Sequence, residues 1–204
     1  FYPTKHITSM EGGMAVTNDA DLALKISKKR AFGYNKNINE RSIPGFYDID
    51  MLGWNYRMSE GHAAIGLIQL NRLDEFLCAR KKNAEIIFNI LKSENLVSLI
   101  PLKYMKSSGS WYCINLMLNK KTKHLRNDLI NAINNAGIQT SIHYPVSLPS
   151  SIYYSNKYGF KRDQFPNANK IAESTISLPC APHLNQNEAE YIGRKVLEIL
   201  NNLK

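Results

Sequence analysis

Phe1-Tyr2-Pro3-Thr4-Lys5-His6-Ile7-Thr8-Ser9-Met10-Glu11-Gly12-Gly13 opens the 204-residue chain. Its paired glycines supply the positive φ that a tight turn can require, so residues 1–17 are predicted to be extended segments joined at Glu11-Gly12-Gly13. Met14-Ala15-Val16-Thr17 is the apolar return strand. Lys5 as a bare residue carries no message, because a solvated surface position is the ordinary fate of a lysine. The thirteen residues around it are what single it out.

Working outward, Asn18-Asp19 caps a helix running to about Arg30, with Leu22, Ala23 and Ile26 on one face. Residues 32–53 are loop-like, with Gly33, Pro44 and Gly45, and a connection of that length points to a functional role. Ser59 begins a long helical stretch to about Lys92 that no proline interrupts, the kind of helix that bridges two domains. Beyond it lies an α/β pattern. Val97 to Leu102 and Trp111 to Leu118 read as strands, and Leu125, Leu129, Ile130 and Ile133 mark a helix ended by Gly137. Ile138 to Tyr144 is a further strand candidate. A helix around Ala168 to Ser174 leads into Ser177-Leu178-Pro179, and Asn185-Gln186-Asn187-Glu188 resembles a capping box opening the last helix.

Composition narrows the class. A hydrophobic content of 44% with 10% aromatics is that of a globular chain with a core. No apolar run approaches the roughly 18–20 residues of a membrane span, and no charged-then-apolar leader is present. A start at Phe1 fits a fragment or a processed piece better than a complete product. Cys78, Cys113 and Cys180 are odd in number and far apart, which argues against a disulfide framework or a zinc site and for a reducing, cytoplasmic setting. All three are expected to be small buried or half-buried residues. His6, His62, His124 and His183 show no metal-ligand spacing, so no metal is expected. The formal charge of +9 is scattered. Its short clusters, Lys28-Lys29-Arg30, Arg80-Lys81-Lys82 and Lys120-Lys121, include two where helices end or turn outward, which argues against a nucleic-acid partner.

Three segments carry chemistry. Lys5 with its neighbours is the first. Gly53-Trp54-Asn55-Tyr56-Arg57-Met58-Ser59-Glu60 is the second, holding an amide donor and a guanidinium suited to an anion. On residue type alone, Asn55 could instead cap the coming helix and Arg57 could pair with Glu60. The third is Gly137-Ile138-Gln139-Thr140-Ser141-Ile142-His143-Tyr144-Pro145-Val146, where His143 could equally be a satisfied polar residue at a strand end. Tyr153, Tyr154 and Tyr158 are read as packing.

Together these segments resemble the DegT/StrS-type sugar aminotransferases, in which an aromatic-x-Pro-Thr-Lys run precedes Ile-Thr-x-x-Glu-Gly-Gly and a Gly-aromatic-Asn-aromatic-Arg-Met stretch precedes a long helix. The third segment is similar to that family's Gly-Ile-x-x-x-x-His-Tyr-x-Pro-Val region, though here Pro145 follows Tyr144 directly and Ser147 stands where many members carry another histidine. Asn167 to Pro182 resembles the family's Ala-x-x-x-Ala…Ser-Leu-Pro segment and is assigned to folding, as a buried helix and turn.

The resemblance implies an α/β fold, the C-terminal part of a fold-type-I transferase dependent on pyridoxal phosphate. Residues 1–70 would be the remainder of the large cofactor-binding domain and 71–204 the small domain. Lys5 would carry the Schiff base and shuttle protons. Asn55 would reach across a homodimer interface to the cofactor phosphate of the neighbouring subunit. Arg57, His143 and Tyr144 are weaker substrate-side candidates. The implied reaction moves an amino group from an amino-acid donor, glutamate, to a keto-deoxysugar nucleotide in amino-sugar or cell-surface polysaccharide biosynthesis, and a positive field would attract that anionic substrate. Lys5 stands where dehydratase relatives carry histidine, which favours transamination over dehydration. The resemblance covers about the C-terminal half of a member. The acid that pairs with the cofactor ring nitrogen, the stacking aromatic and a phosphate-binding serine are expected upstream of Phe1. The rival reading is a non-catalytic remnant or regulatory partner that keeps the fold and dimer surface.

Overall fold

The protein is described as a computed structural model over residues 1–36, 38–99 and 109–202. It divides into two compact units, Phe1–Leu73 and Asp74–Lys204. No helix among the described residues is long and apolar enough to cross a membrane.

The first unit holds helices α1 (Ala20–Lys29) and α2 (Glu60–Asn71). Both begin where short polar side chains accept from otherwise orphaned amides. Asp19 Oδ1 accepts from Leu22 N at 3.0 Å, and Ser59 Oγ accepts from His62 N at 3.3 Å. Lys28 and Lys29 fall in the last turn of α1, where the helix dipole favours cations. Met14–Thr17 is not a strand. No ladder partner lies beside it among the described residues, and Met14 and Val16 stay exposed at 72% and 84%. A strand needs paired backbone as well as an apolar pattern. The long helix expected from Ser59 is also two helices. Arg72, at φ −100° and ψ 4°, closes α2 with a short bond from its amide to Gln69 O, and α3 (Leu73–Leu91) starts afresh.

The second unit contains α3, strands β1 (Val97–Leu99) and β2 (Ile114–Leu118), α4 (Arg126–Asn135), α5 (Ile152–Tyr158), α6 (Pro166–Ser174), β3 (Thr175–Leu178) and α7 (Gln186–Asn202). The three strands form an antiparallel sheet in the order β1-β2-β3. The expected extension of the first strand to Leu102 lies outside the described residues. Strand alternation sends Ile114, Leu116 and Leu118 into the core, with Ile114 and Leu116 registered against Leu178 and Ile176 of β3 and Leu118 against Val97 of β1. Ala84, Ile87 and Leu91 of α3, Leu129 and Ile133 of α4, and Ile192, Val196 and Leu200 of α7 complete one apolar cluster. These residues repeat at three, four and seven positions, as one face of a helix must. Gly193 lets α7 pass close to Ile90, since a Cβ there would stand 2.7 Å from Ile90 Cδ1 and 3.1 Å from its Cβ.

Local signals end and begin these helices as expected. Gly137, at φ +78°, closes α4 with paired bonds from its own amide to Asn134 O and from Ile138 N to Ile133 O. Asn185 and Glu188 exchange side chain-to-backbone bonds of 2.8 and 3.0 Å, a full capping box. Other expectations fail. Ile138–Tyr144 is not a strand, since Ser141 alone pairs with Ser177. Cys78 is exposed rather than buried, whereas Cys113 is half-buried and Cys180 buried. Arg80 does not turn outward. It is 7% exposed and donates to the carbonyls of Trp111, Tyr112 and Cys180 at 3.1–3.2 Å. Tyr153, Tyr154 and Tyr158 pack on one another but remain exposed.

Candidate active site

Lys5 sits on a short loop closed twice at its base. Its amide donates to Tyr2 O at 3.0 Å, a turn for which Pro3 presets the backbone. Ser9 N and Thr8 Oγ1 both bond to Phe1 O, at 3.0 and 2.9 Å. Ser9 is fully buried and donates to Glu11 O, and Gly66 of α2 faces it so closely that a Cβ there would lie 3.3 Å from the Ser9 Cβ. The loop base is thereby pinned while the Lys5 side chain is exposed. Ile7 and Ser9 line a predominantly apolar cleft of about 870 Å³ with Met14, Val16, Tyr56 and Leu67, all within the first unit.

Asn55 is carried on a segment stitched to the end of α1. Trp54 N donates to Lys29 O at 2.7 Å, Tyr56 N to Arg30 O at 2.8 Å, and Phe32 N to Trp54 O at 2.9 Å. Carbonyls that a helix C-terminus leaves unpaired thus find donors in this segment. Trp54 and Tyr56 stack in parallel at 5.9 Å, so alternation puts the exposed Asn55 amide on the other face. Ser59, not Asn55, caps α2. Arg57 holds its guanidinium 4.7 Å from the centre of the Phe32 ring, a cation–π contact in place of the ion pair with Glu60. Arg41 lies in the same way against both Tyr34 and Tyr47, and Lys28 forms an ion pair with Asp50.

Pyridoxal phosphate, the cofactor the resemblance implies, needs a primary amine and neutral N–H donors for its phosphate. The first unit presents an exposed amine on a pinned loop and an exposed carboxamide on a backbone-anchored segment. The donor set fits.

In the second unit His143 is half-buried, with its Nδ1 2.9 Å from Ser177 Oγ and its ring edge-on to those of Tyr112 and Tyr144. Tyr144 is 71% exposed. Ser177 Oγ donates to Asn115 Oδ1 at 2.6 Å, and the Cys113 thiol approaches the same oxygen at 3.5 Å. Burial raises the Cys113 pKa. Ser147 is buried and donates to Asn169 Oδ1, which also accepts from Ser150, so its hydroxyl serves the fold. Lys5, Asn55 and Arg57 therefore belong to one unit and His143 and Tyr144 to the other. Sequence reading passed over Asn115, took Cys113 as a small buried or half-buried residue and gave Ser177 only to folding. The available signal was two polar positions, 113 and 115, alternating with apolar ones.

Comparison with known proteins agrees with the fold. The chain is 31% identical, over all of its length, to the Campylobacter jejuni UDP-4-amino-4,6-dideoxy-N-acetyl-beta-L-altrosamine transaminase, of which it covers 52%. It is 30% identical over 98% of its length to the Bacillus subtilis spore coat polysaccharide biosynthesis protein SpsC, again covering 52%. The Helicobacter pylori aminotransferase PseC, of pseudoaminic acid biosynthesis, superposes with a TM-score of 0.87 at 24% identity over 97% of this chain and 51% of its own. The chain thus spans about half the length of the relatives it matches. The DegT/DnrJ/EryC1/StrS aminotransferase family model matches residues 1–197, and the chain belongs to that family.

Proposed function

We propose that this chain supplies the Schiff-base lysine and the small domain of an aminotransferase that moves an amino group from glutamate to a keto-deoxysugar nucleotide. The family's cofactor is pyridoxal phosphate. When bound, it supplies the aldehyde that carries the amino group and the electron sink that lets a proton leave the adjacent carbon. On this reading residues 1–70 complete the cofactor-binding domain and 71–204 form the small domain.

Lys5 Nζ would anchor the cofactor covalently and, once displaced by an incoming amine, take up and return a proton as a general base. The pinned base of its loop would keep that amine in place between the two roles. The Asn55 amide would donate to the cofactor phosphate of a neighbouring subunit in a homodimer. Arg57, held against Phe32, would contribute positive charge beside it. His143 and Tyr144 would meet the sugar. The observation that carries the proposal is the family match over residues 1–197 with an exposed lysine at position 5, on a loop whose base is tied down.

The test uses the full-length protein that contains this chain. Incubation with pyridoxal phosphate and borohydride should label Lys5, found by peptide mapping, and glutamate should support amination of a UDP-linked 4-keto-6-deoxy sugar. A label on another lysine removes Lys5 from its role. Labelling of Lys5 without amination of any keto-sugar nucleotide favours the non-catalytic reading.

A further inference from the structure

Five polar side chains from three separate segments occupy one face of the sheet in the second unit. Asn115 of β2 is registered opposite Ser177 of β3, and Ser177 in turn exchanges both backbone bonds with Ser141, at 2.8 and 3.1 Å. Residues 115, 177 and 141 therefore form a row across the strands. Cys113 and His143 lie two positions from Asn115 and Ser141, so the period of two returns both to the same face. The opposite face is the apolar core, which holds Ile114, Leu116, Ile176 and Leu178.

The hydrogens in this row can be accounted for one by one. Ser177 has a single hydroxyl hydrogen, and it is directed to Asn115 Oδ1 at 2.6 Å. An amide oxygen cannot donate, and the Cys113 sulfur lies nearer to this oxygen, at 3.5 Å, than to His143 Nδ1, at 3.8 Å, so the weak thiol donor does not displace the Ser177 contact at 2.9 Å. With its hydrogen committed, Ser177 Oγ has only lone pairs to offer His143 Nδ1 at 2.9 Å. The hydrogen between them must then belong to the imidazole. In the neutral ring, Nε2 is left with a bare lone pair.

We infer that Ser177, oriented by Asn115, is a positioning residue that holds His143 in the Nδ1–H tautomer, so that Nε2 is an acceptor for a donor group such as a sugar hydroxyl. The acceptor role rests on the proposed substrate-side place of His143, whereas the tautomer rests on the sheet geometry alone. Ser141 does not replace Ser177, as its hydroxyl is farther from both ring nitrogens, at 3.3 and 3.5 Å. Segments 62 and 34 residues away from Ser177 meet at its hydroxyl. The relay fixes which nitrogen is basic before any ligand arrives.

The experiment is a two-bond proton–nitrogen correlation spectrum of the full-length protein labelled at histidine, above the pH at which its imidazoles are charged. His143→Phe assigns the signal. Wild type and Asn115→Asp, which keeps an acceptor for Ser177, should show the Nδ1–H pattern. Ser177→Ala and Asn115→Leu should move His143 toward the Nε2–H form that free imidazoles favour. The alanine variant removes one oxygen from a strand position and keeps the core face intact, so its circular dichroism serves as the folding control. An Nε2–H pattern in wild type, or a pattern unmoved by Ser177→Ala, overturns the inference. The functional premise is read separately. With a UDP-linked 4-keto-6-deoxy sugar as probe, Ser177→Ala should raise KM several-fold with little change in kcat. An unchanged KM beside a switched tautomer would retain the relay and remove its substrate.

Discussion

Gly33 and Gly53 cross so closely that neither can carry a side chain. A Cβ on Gly53 would stand 2.2 Å from the Gly33 amide nitrogen and 2.9 Å from Lys29 O, and one on Gly33 would meet Met51 O at 1.8 Å. All of these neighbours are backbone, which cannot swing aside as a flexible side chain can. Gly33 also holds φ at +76°. The crossing sets the segment that carries Asn55 against the end of α1.

Gly53→Ala should accordingly destabilise the first unit by about 2–4 kcal/mol, the range for forced backbone displacement in a tight site. It should also weaken cofactor binding more than Gly61→Ala, where the added methyl meets only Ser59 Oγ, at 3.9 Å. Urea unfolding followed by Trp54 fluorescence, with pyridoxal phosphate titrations, checks both. Equal effects of the two substitutions would show that the crossing does not place Asn55.

Asn55 provides the second prediction. If its amide serves the neighbouring subunit, Lys5→Ala and Asn55→Ala proteins should each be inactive alone and partly active when mixed. One site of each hybrid dimer then holds both native residues. Activity assays on mixtures with demonstrated subunit exchange decide the point, and a flat zero would confine Asn55 to its own subunit.

Arg80 is a third case. Its guanidinium supplies hydrogen bonds to three carbonyls in the interior of the second unit, and burial lowers its pKa. Arg80→Ala should cost about 3 kcal/mol by leaving buried acceptors unpaired. Arg80→Lys should cost less, since an ammonium can still donate to some of them. Denaturant midpoints compare the two directly.

Cys180 predicts a pH dependence. Burial pushes its thiol from an ordinary 9.0 up to about 12. Between those values the unfolded chain releases the proton and the folded chain keeps it, so stability must fall as pH rises. The slope is about 1.4 kcal/mol per pH unit, or about 2 kcal/mol between pH 9 and 10.5. Well below pH 9 the thiol is neutral in both states and contributes no slope. Cys180→Ala should remove this component, seen as a shallower loss of stability in unfolding curves at pH 8 to 10.5.

The local parts of the fold were legible in the sequence. Asp19, Ser59, Gly137 and the Asn185–Glu188 box each act within four or five residues, and each does in the structure what its residue type suggests. The break at Arg72 was not legible, because no proline or glycine marks it and the apolar pattern continues across it. Strand β3 follows α6 with no turn residue between them, so nothing local separates the two. Ile138–Tyr144 has a strand's composition and lacks a strand's partner. The candidate site divides in the same way. Lys5 and Asn55 stand out through the short runs that surround them. The Asn115–Ser177–His143 row depends on register between distant segments, which spacing along the chain does not encode.

The location of the apolar cluster bears on how the molecule is made. Every buried hydrophobic side chain among the described residues lies at Ala84 or later, whereas α1 and α2 bury none. A ribosome delivers the earlier segment first, and domains ordinarily condense in that order. Here the earlier segment leaves the tunnel with no interior of its own to collapse upon. On the reading proposed above, the apolar surface it needs belongs to the rest of the cofactor-binding domain, while the three-stranded sheet, synthesised later, can gather around its own core.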